Sequence, residues 1–323
     1  MSSTQSPPLW LITGATGFVG RELLRQIAQQ QCPVETKLLL SKDSSEQSRG
    51  NHLCGDLRDP DSLSAACKNV TTVIHLAGIA HVGAAASKQA RAVNLEGALA
   101  LLHAAISAGV RRFVYLSTVL AAEPASTRTA YGEDKAAVER ALLAAAKAKQ
   151  IEVVILRATN IYGPEMRGNL AALIRLTHAK LLPRLPRLDS YVSLVGVSDV
   201  AGALIAAASE QRAPRDSGGV LVTLTDGQRY SMNALQDSVY AALGRRPSHL
   251  RMPAVILFTA AATAEILGKL GLYRGGIGLH TARNLTKDAV FDNAEAQQRL
   301  SWQPSTTFYT ELPALIEAVV KKR

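Results

Sequence analysis

Cysteine is scarce in this chain. Cys32, Cys54 and Cys67 are the only three among 323 residues. An odd number, at spacings that match no metal-ligand pattern, argues against a disulfide framework and a zinc module, so no metal site is expected. The plain expectation is three small buried thiols in a reducing compartment. Long apolar runs are also missing. The longest, near Pro253–Ile266, is about fourteen residues, short of the roughly twenty that cross a bilayer. The opening MSSTQSPPLWLITG lacks the basic start and apolar stretch of a leader, which leads to the expectation of a cytoplasmic protein. Aromatic residues make up 5% and are not interleaved with basic ones, and no nucleic-acid motif is present. Nucleic acid is therefore not an expected partner.

What is present is an ordinary globular composition, 47% hydrophobic, long enough for a substantial core and for two domains. The net charge of +10 is unevenly spread. Residues 1–165 hold 17 bases and 14 acids, and residues 166–323 hold 19 and 12. The excess in the second half reads either as a solvated basic face or as attraction for an anionic ligand. Arg167, Arg175, Lys180, Arg184 and Arg187 fall in one segment whose only acid is Asp189.

Apolar runs at Leu9–Thr13, Thr36–Leu40, Thr72–Leu76, Arg112–Leu116 and Ile151–Leu156 read as buried strands, with helical periodicity between them, as in Phe18–Gln31. Alternating strand and helix predicts an α/β fold of the Rossmann type, a doubly wound parallel sheet. This domain is expected over 1–165. A smaller C-terminal substrate-binding lobe is expected over 166–323, with some segments returning to the first domain. There Leu170–His178, Asp199–Ser209 and Met232–Leu243 look helical, and Tyr191–Val197 and Val220–Leu224 extended.

The stretch Thr13-Gly14-Ala15-Thr16-Gly17-Phe18-Val19-Gly20 lies between strand and helix. Gly14 suits a tight turn, Gly17 a close approach to a pyrophosphate and Gly20 close packing of helix on strand, with the helix N-terminus facing the phosphates. Ser41 and Lys42 end the second strand, where an acid would bind the ribose hydroxyls of NAD. A hydroxyl beside a cation suits the extra phosphate of NADP, and Asp43 competes for the position if the strand runs longer. Asp56 is placed to accept from an adenine amino group with Leu57 against the ring; its plainer role is a helix cap before Pro60.

Tyr131 and Lys135 are four residues apart and share a face if helical. A nearby ammonium would lower a phenol whose free pKa is about 10, and lysine can also hold ribose hydroxyls. Ser117-Thr118 ends the preceding strand, where a hydroxyl would polarise a substrate carbonyl while Tyr131 handles the proton. Asn94 lies inside a helical pattern, a position of poor propensity that suggests a hydrogen-bonding role.

These residues resemble the extended short-chain dehydrogenase/reductase superfamily, in its NAD-dependent epimerase/dehydratase branch acting on nucleotide sugars. The marks occur in order: TGATGFVG at 13–20, GDL at 55–57, VIHLAG at 73–78, VN at 93–94, YLST at 115–118, YGEDK at 131–135, LRATNIYGP at 156–164, SLVGVSDVAGAL at 193–204 and LSWQP at 300–304. The resemblance implies Thr118 in the catalytic Ser/Thr place, Tyr131 as acid/base and Lys135 as its ribose-binding partner. It also implies cofactor contacts from Thr16, Phe18 and Val19, and from Leu76, Ala77 and Gly78 toward the nicotinamide. HLAGIAHV and GPEMRGNLAALIRL are similar to enzymes that reduce or epimerise acetamido sugars for bacterial surface polysaccharide. That implies a nucleotide-sugar substrate met by His81, Asn160 and Asn169. The chain departs from the pattern at Val119-Leu120-Ala121-Ala122, at Ala158 and at Val192, where relatives carry a phosphate-binding Arg. Arg184, Arg187 and Arg167 are the candidates to replace it.

The expected activity is reduction of a nucleotide-linked 4-keto sugar with NADP, or NAD. A 4-epimerase is the nearest alternative, and a non-catalytic dinucleotide sensor or assembly factor the alternative of another class. A homodimer and a weak contact with a membrane surface, through the basic second half and the apolar Pro253–Leu267 stretch, are compatible with the composition.

Overall fold

The computed structural model describes residues 7–41, 51–80, 87–209, 218–247, 251–269 and 286–321. The chain forms two compact units: one within Met1–Thr159, Val197–Leu224 and Asn293–Gln303, the other within Asn160–Gly196, Thr225–Asp292 and Pro304–Arg323.

The first unit is built on a seven-stranded sheet. Its strands are β1 (Leu9–Thr13), β2 (Glu35–Leu40), β3 (Asn51–Cys54), β4 (Thr72–His75), β5 (Arg112–Thr118), β6 (Glu152–Ala158) and β10 (Val220–Leu224). The order is β10-β6-β5-β4-β1-β2-β3, and every pairing is parallel. This is the doubly wound α/β arrangement expected from the alternating pattern. The order of connection reverses between β1 and β4, the switch point beyond whose C-terminal strand ends such sheets bind ligands.

Both faces of the central strands are buried, which is why they read as continuous apolar runs rather than alternating ones. Leu11, Val73, Phe113, Val153 and Ile155 share one face and one core with Leu63, Leu101, Val138 and Leu142. These last come from α2 (Pro60–Cys67), α4 (Ala98–Ser107) and α5 (Ala130–Lys147). Against α1 (Phe18–Gln29) packs α7 (Val197–Ala208). Gln26 Nε2 donates to Ser198 O at 2.8 Å, and Trp302 Nε1 to Asp199 O at 2.9 Å. These two bonds tie segments far apart in sequence.

Several expectations need adjusting. Asn51–Cys54 is a strand that no hydrophobic pattern announces, because it is short, polar and at the sheet edge. The helix α2 is capped by Asp59, whose side chain accepts from Asp61 N at 3.1 Å, so Asp56 is not the cap. Of the three cysteines only Cys67 is buried, and Cys54 is exposed. The extended stretch Tyr191–Val197 is two short strands, β8 (Tyr191–Val192) and β9 (Leu194–Gly196), and Val197 already begins α7.

In the second unit β7 (Asn160–Tyr162) pairs parallel with β9, and β8 pairs antiparallel with β11 (Tyr230–Ser231). Its helices are α6 (Asn169–His178), α8 (Met232–Ala242), α9 (Ala254–Lys269) and, near the C-terminus, α11 (Phe308–Lys321); α10 (Ala294–Leu300) belongs to the first unit. Asp226 organises this unit's interior, accepting from Tyr230 Oη at 2.6 Å and Tyr162 Oη at 3.3 Å. Among the described residues no helix is long and apolar enough to cross a membrane.

Candidate active site

The glycine loop follows β1 directly. Gly14 has φ +74°, and a Cβ there would fall 2.6 Å from Ala77 N, so the loop lies hard against the segment leaving β4. A Cβ on Gly20 would collide with the backbone of Gly14 and Ala15, so the close packing at this glycine is of helix on the loop rather than on the strand. Gly17 is the N-cap of α1; it offers no side-chain cap, and the first turn carries no acid. Thr16, Phe18 and Val19 complete this turn. The helix N-terminus therefore keeps N–H groups and positive dipole for an anion, a cradle that fits a dinucleotide pyrophosphate.

Around the cradle, Ser41 is exposed just past β2, and Lys42, Asp43 and His81 lie outside the described residues. Asp56 follows β3, accepts from Arg58 N at 2.9 Å and pairs with the Arg58 guanidinium at 2.5 Å. Leu57 is buried in the core, against Gly97. Leu76 N donates to Thr13 O at 3.1 Å, and Ala77 N to Thr13 Oγ1 at 3.3 Å.

Asn94 explains its unfavourable place in a helix. It sits in a π-helical turn, Ala92–Gly97, and is buried. Its side chain clamps the peptide groups of Ile79, accepting from N at 2.7 Å and donating to O at 2.9 Å. Gly78 is thereby held beside both Asn94 Oδ1 and Lys135 Nζ, which would stand 3.3 and 3.7 Å from a Cβ at this position.

Thr118 is the last residue of β5 and the N-cap of a 3₁₀ turn over Val119–Ala122. Its Oγ1 accepts from Leu120 N at 3.3 Å, which leaves the hydroxyl proton for another acceptor. The helix α5 opens on Thr129, whose side chain accepts from Gly132 N at 3.1 Å. Tyr131, Lys135 and Glu139 follow at four-residue spacing on one face. Lys135 is buried, donates from Nζ to Leu116 O at 2.9 Å, and lies 5.8 Å from the Tyr131 ring centroid.

Burial dominates the electrostatics. It pulls the Lys135 ammonium down to about 8, against a smaller upward pull from Glu139. It pushes the Tyr131 phenol up to about 12. The expectation that the neighbouring ammonium would depress this phenol is thus overturned. At neutral pH the pair stands as phenol and ammonium.

Beneath Lys135 lies a group that sequence reasoning missed. Register places Thr13, His75 and Tyr115 in one row across β1, β4 and β5. Thr13 Oγ1 and His75 Nδ1 are 2.6 Å apart, the His75 and Tyr115 rings stack at 5.6 Å, and Lys135 Nζ stands 4.4 Å over the Tyr115 ring. Burial and the Lys135 charge hold His75 down to about 3, so it is neutral. Glu139, also missed, is buried and accepts from Ser117 Oγ at 2.6 Å and from the Arg157 guanidinium at 3.0 and 2.5 Å. The available signal was a polar residue within each otherwise apolar strand, and an acid one turn beyond Lys135.

Residues 10–220 match the NAD dependent epimerase/dehydratase family. The chain belongs to this family. It is accordingly an NAD(P)-dependent enzyme of the extended short-chain dehydrogenase type, the class its motifs resemble. Among its relatives is the UDP-glucose 4-epimerase of Vibrio cholerae, 26% identical over 321 residues, covering 93% of this chain and 92% of the relative. Another is the ceramide reductase of Caulobacter vibrioides, 31% identical over 280 residues and covering 85% and 83%. The crystal structure of MoeE5 in complex with UDP-glucuronic acid and NAD has the same fold, with a TM-score of 0.72 at 23% identity over 97% and 99% of the two chains.

The remaining expected residues of this family member fall in the second unit. Asn160 is exposed in β7, and Asn169 is exposed as the first residue of α6. Arg187 and Arg167 are exposed. Arg184 is part-buried and paired with Asp237 at 2.7 Å, so its charge is already matched.

Proposed function

We propose that this enzyme reduces a nucleotide-linked 4-keto sugar. The carrying observation is the arrangement on α5: Tyr131 stands one turn before the buried Lys135, whose Nζ lies 5.8 Å from the tyrosine ring centroid, and burial raises the phenol. A phenol beside an ammonium can give a proton to a forming alkoxide. The bound dinucleotide supplies the hydride. Tyr131 donates its phenolic proton to the substrate oxygen as that oxygen gains charge. Thr118, whose acceptor lone pair is engaged by Leu120 N, donates a hydrogen bond to the same oxygen. Lys135 stabilises the phenolate left behind until solvent returns the proton.

Gly14, Thr16, Gly17, Phe18 and Val19 would hold the pyrophosphate, and Asp56 and Leu57 the adenine. Leu76, Ala77, Gly78 and Asn94 would frame the nicotinamide. Ser41 and Lys42 favour NADP over NAD. Asn160, Asn169 and Arg187 are the residues proposed for the substrate diphosphate, with His81 toward the sugar. Arg184 is a weaker member of that set because Asp237 neutralises it. A role in surface polysaccharide sugar metabolism follows from the same reading.

A 4-epimerase is the second reading, supported by the Vibrio cholerae relative, which matches over nearly its whole length. The test is an assay with a UDP-linked 4-keto acetamido sugar and reduced dinucleotide. Reductase activity predicts stoichiometric, substrate-dependent loss of the reduced cofactor. Interconversion of two UDP-sugars with no net cofactor consumption makes it an epimerase. Dinucleotide binding without turnover of any carbonyl substrate leaves only a sensor.

A further inference from the structure

The helix α9, Ala254–Lys269, has the composition of a core helix, AVILFTAAATAEILGK, but not the burial of one. Among its described side chains Ala261 is buried, whereas Val255 is 71%, Ile256 51% and Ile266 59% exposed. Its described part, 16 residues at about 1.5 Å per residue, is too short to span a bilayer. Branched aliphatic side chains facing water on one helix mark a contact surface.

A second exposed aliphatic side chain belongs to the same unit. Lys180 adopts φ +58° in the turn that ends α6, and Leu181 after it is 72% exposed. This turn runs into a segment that lies beside the one leading into α9. Arg245 Nη1 donates to His178 O at 2.6 Å, Met252 N to Arg184 O at 2.8 Å, and Arg251 Nη1 to Leu185 O at 3.1 Å.

The charge along these paired segments is of one sign. Lys180 and Arg246 are exposed. Arg245 and Arg251 bond to backbone carbonyls rather than to carboxylates. The second unit as a whole holds 16 Lys and Arg against 9 Asp and Glu, so it carries +7 of the net +10.

We propose that α9 and the Lys180–Leu181 turn dock this enzyme on an anionic lipid membrane, the aliphatic side chains entering the headgroup boundary and the cations meeting lipid phosphates. Shallow apolar insertion and electrostatic attraction are each weak alone and effective together. A second copy of the chain fits the surface poorly, because it would set one basic face against another. The inference concerns where the enzyme works and does not depend on which carbonyl it reduces.

The test is sedimentation of the full chain with vesicles of equal parts phosphatidylglycerol and phosphatidylcholine, and with phosphatidylcholine alone. Binding is expected to the anionic vesicles only, to weaken with added salt, and to fall by about tenfold or more in Val255→Asp/Ile256→Asp and in Lys180→Glu/Arg246→Glu. Both double variants change exposed side chains and should bind dinucleotide as the wild type does. No sedimentation of the wild type with anionic vesicles overturns the proposal. So does undiminished binding by the aspartate variant, which would leave unspecific charge attraction. A change from dimer to monomer in that variant, with vesicle binding unaltered, would make the face an interface between copies instead.

Discussion

Lys135 Nζ stands 4.4 Å over the centroid of the Tyr115 ring, and the Tyr115 hydroxyl is buried without a hydrogen-bond partner among the described residues. The ring face rather than the hydroxyl is therefore what the lysine meets. An ammonium over an aromatic face in a desolvated site gains about 2 kcal/mol, which favours the charged form against the burial that opposes it. His75, hydrogen-bonded to Thr13, also stacks on this ring.

Tyr115→Phe should therefore keep full activity and lose no stability, since it removes a buried hydroxyl that has no partner among the described residues and costs desolvation. Tyr115→Leu should move the alkaline limb of the pH–rate profile down by about one unit, because about 1.4 kcal/mol corresponds to one pKa unit. Equal profiles for the two variants would show that the ring only fills space.

Tyr131→Phe should fold, bind dinucleotide and lose about 10²–10⁴ in kcat, the usual weight of a general acid. Fluorescence titration of the reduced cofactor separates binding from turnover. Near-normal turnover would remove Tyr131 from the chemistry.

Reduction should be level through neutral pH and decline above about 8, where Lys135 loses its proton while Tyr131, pushed up to about 12, keeps its own. Stability should run the opposite way. The lysine's pKa is lowered on folding from 10.5 to about 8, so between these values the unfolded chain binds more protons and stability rises with pH. The difference in melting temperature between the wild type and Lys135→Met should narrow or reverse in the wild type's favour from pH 8 to pH 10. A pH-independent difference would place the lysine's pKa near its ordinary value.

NADP(H) should bind more tightly than NAD(H), and Lys42→Ala should narrow the gap by about 10- to 150-fold, the range of a charge-assisted contact. Isothermal titration of both cofactors decides it. Tighter NAD(H) binding by the wild type would reverse the assignment and strengthen the epimerase reading.

The parts of the site that were legible in the sequence are local. β1, the glycine loop and α1 follow one another within 21 residues, Leu9–Gln29, and each has its own signature: an apolar run, glycines where a Cβ would collide, then helical period. Tyr131 and Lys135 share a face because four residues make about one turn, and Thr118 ends β5 two residues beyond the apolar run Arg112–Leu116. The strand Val220–Leu224 was legible as a strand, but its place beside β6 was not.

What the sequence by itself determined, then, is the alternation of the central strands and helices, the glycine loop and the spacing of the α5 pair, since hydrophobic period and glycine sterics act between near neighbours. Only the tertiary structure decided the row Thr13–His75–Tyr115, the Glu139–Arg157 pair and the match of Arg184 to Asp237. These depend on register and packing between segments distant along the chain. The same holds for the protonation of Tyr131. The sequence shows an ammonium four residues away, which would lower the phenol, whereas the fold half-buries the phenol and buries the ammonium, and this desolvation raises the phenol.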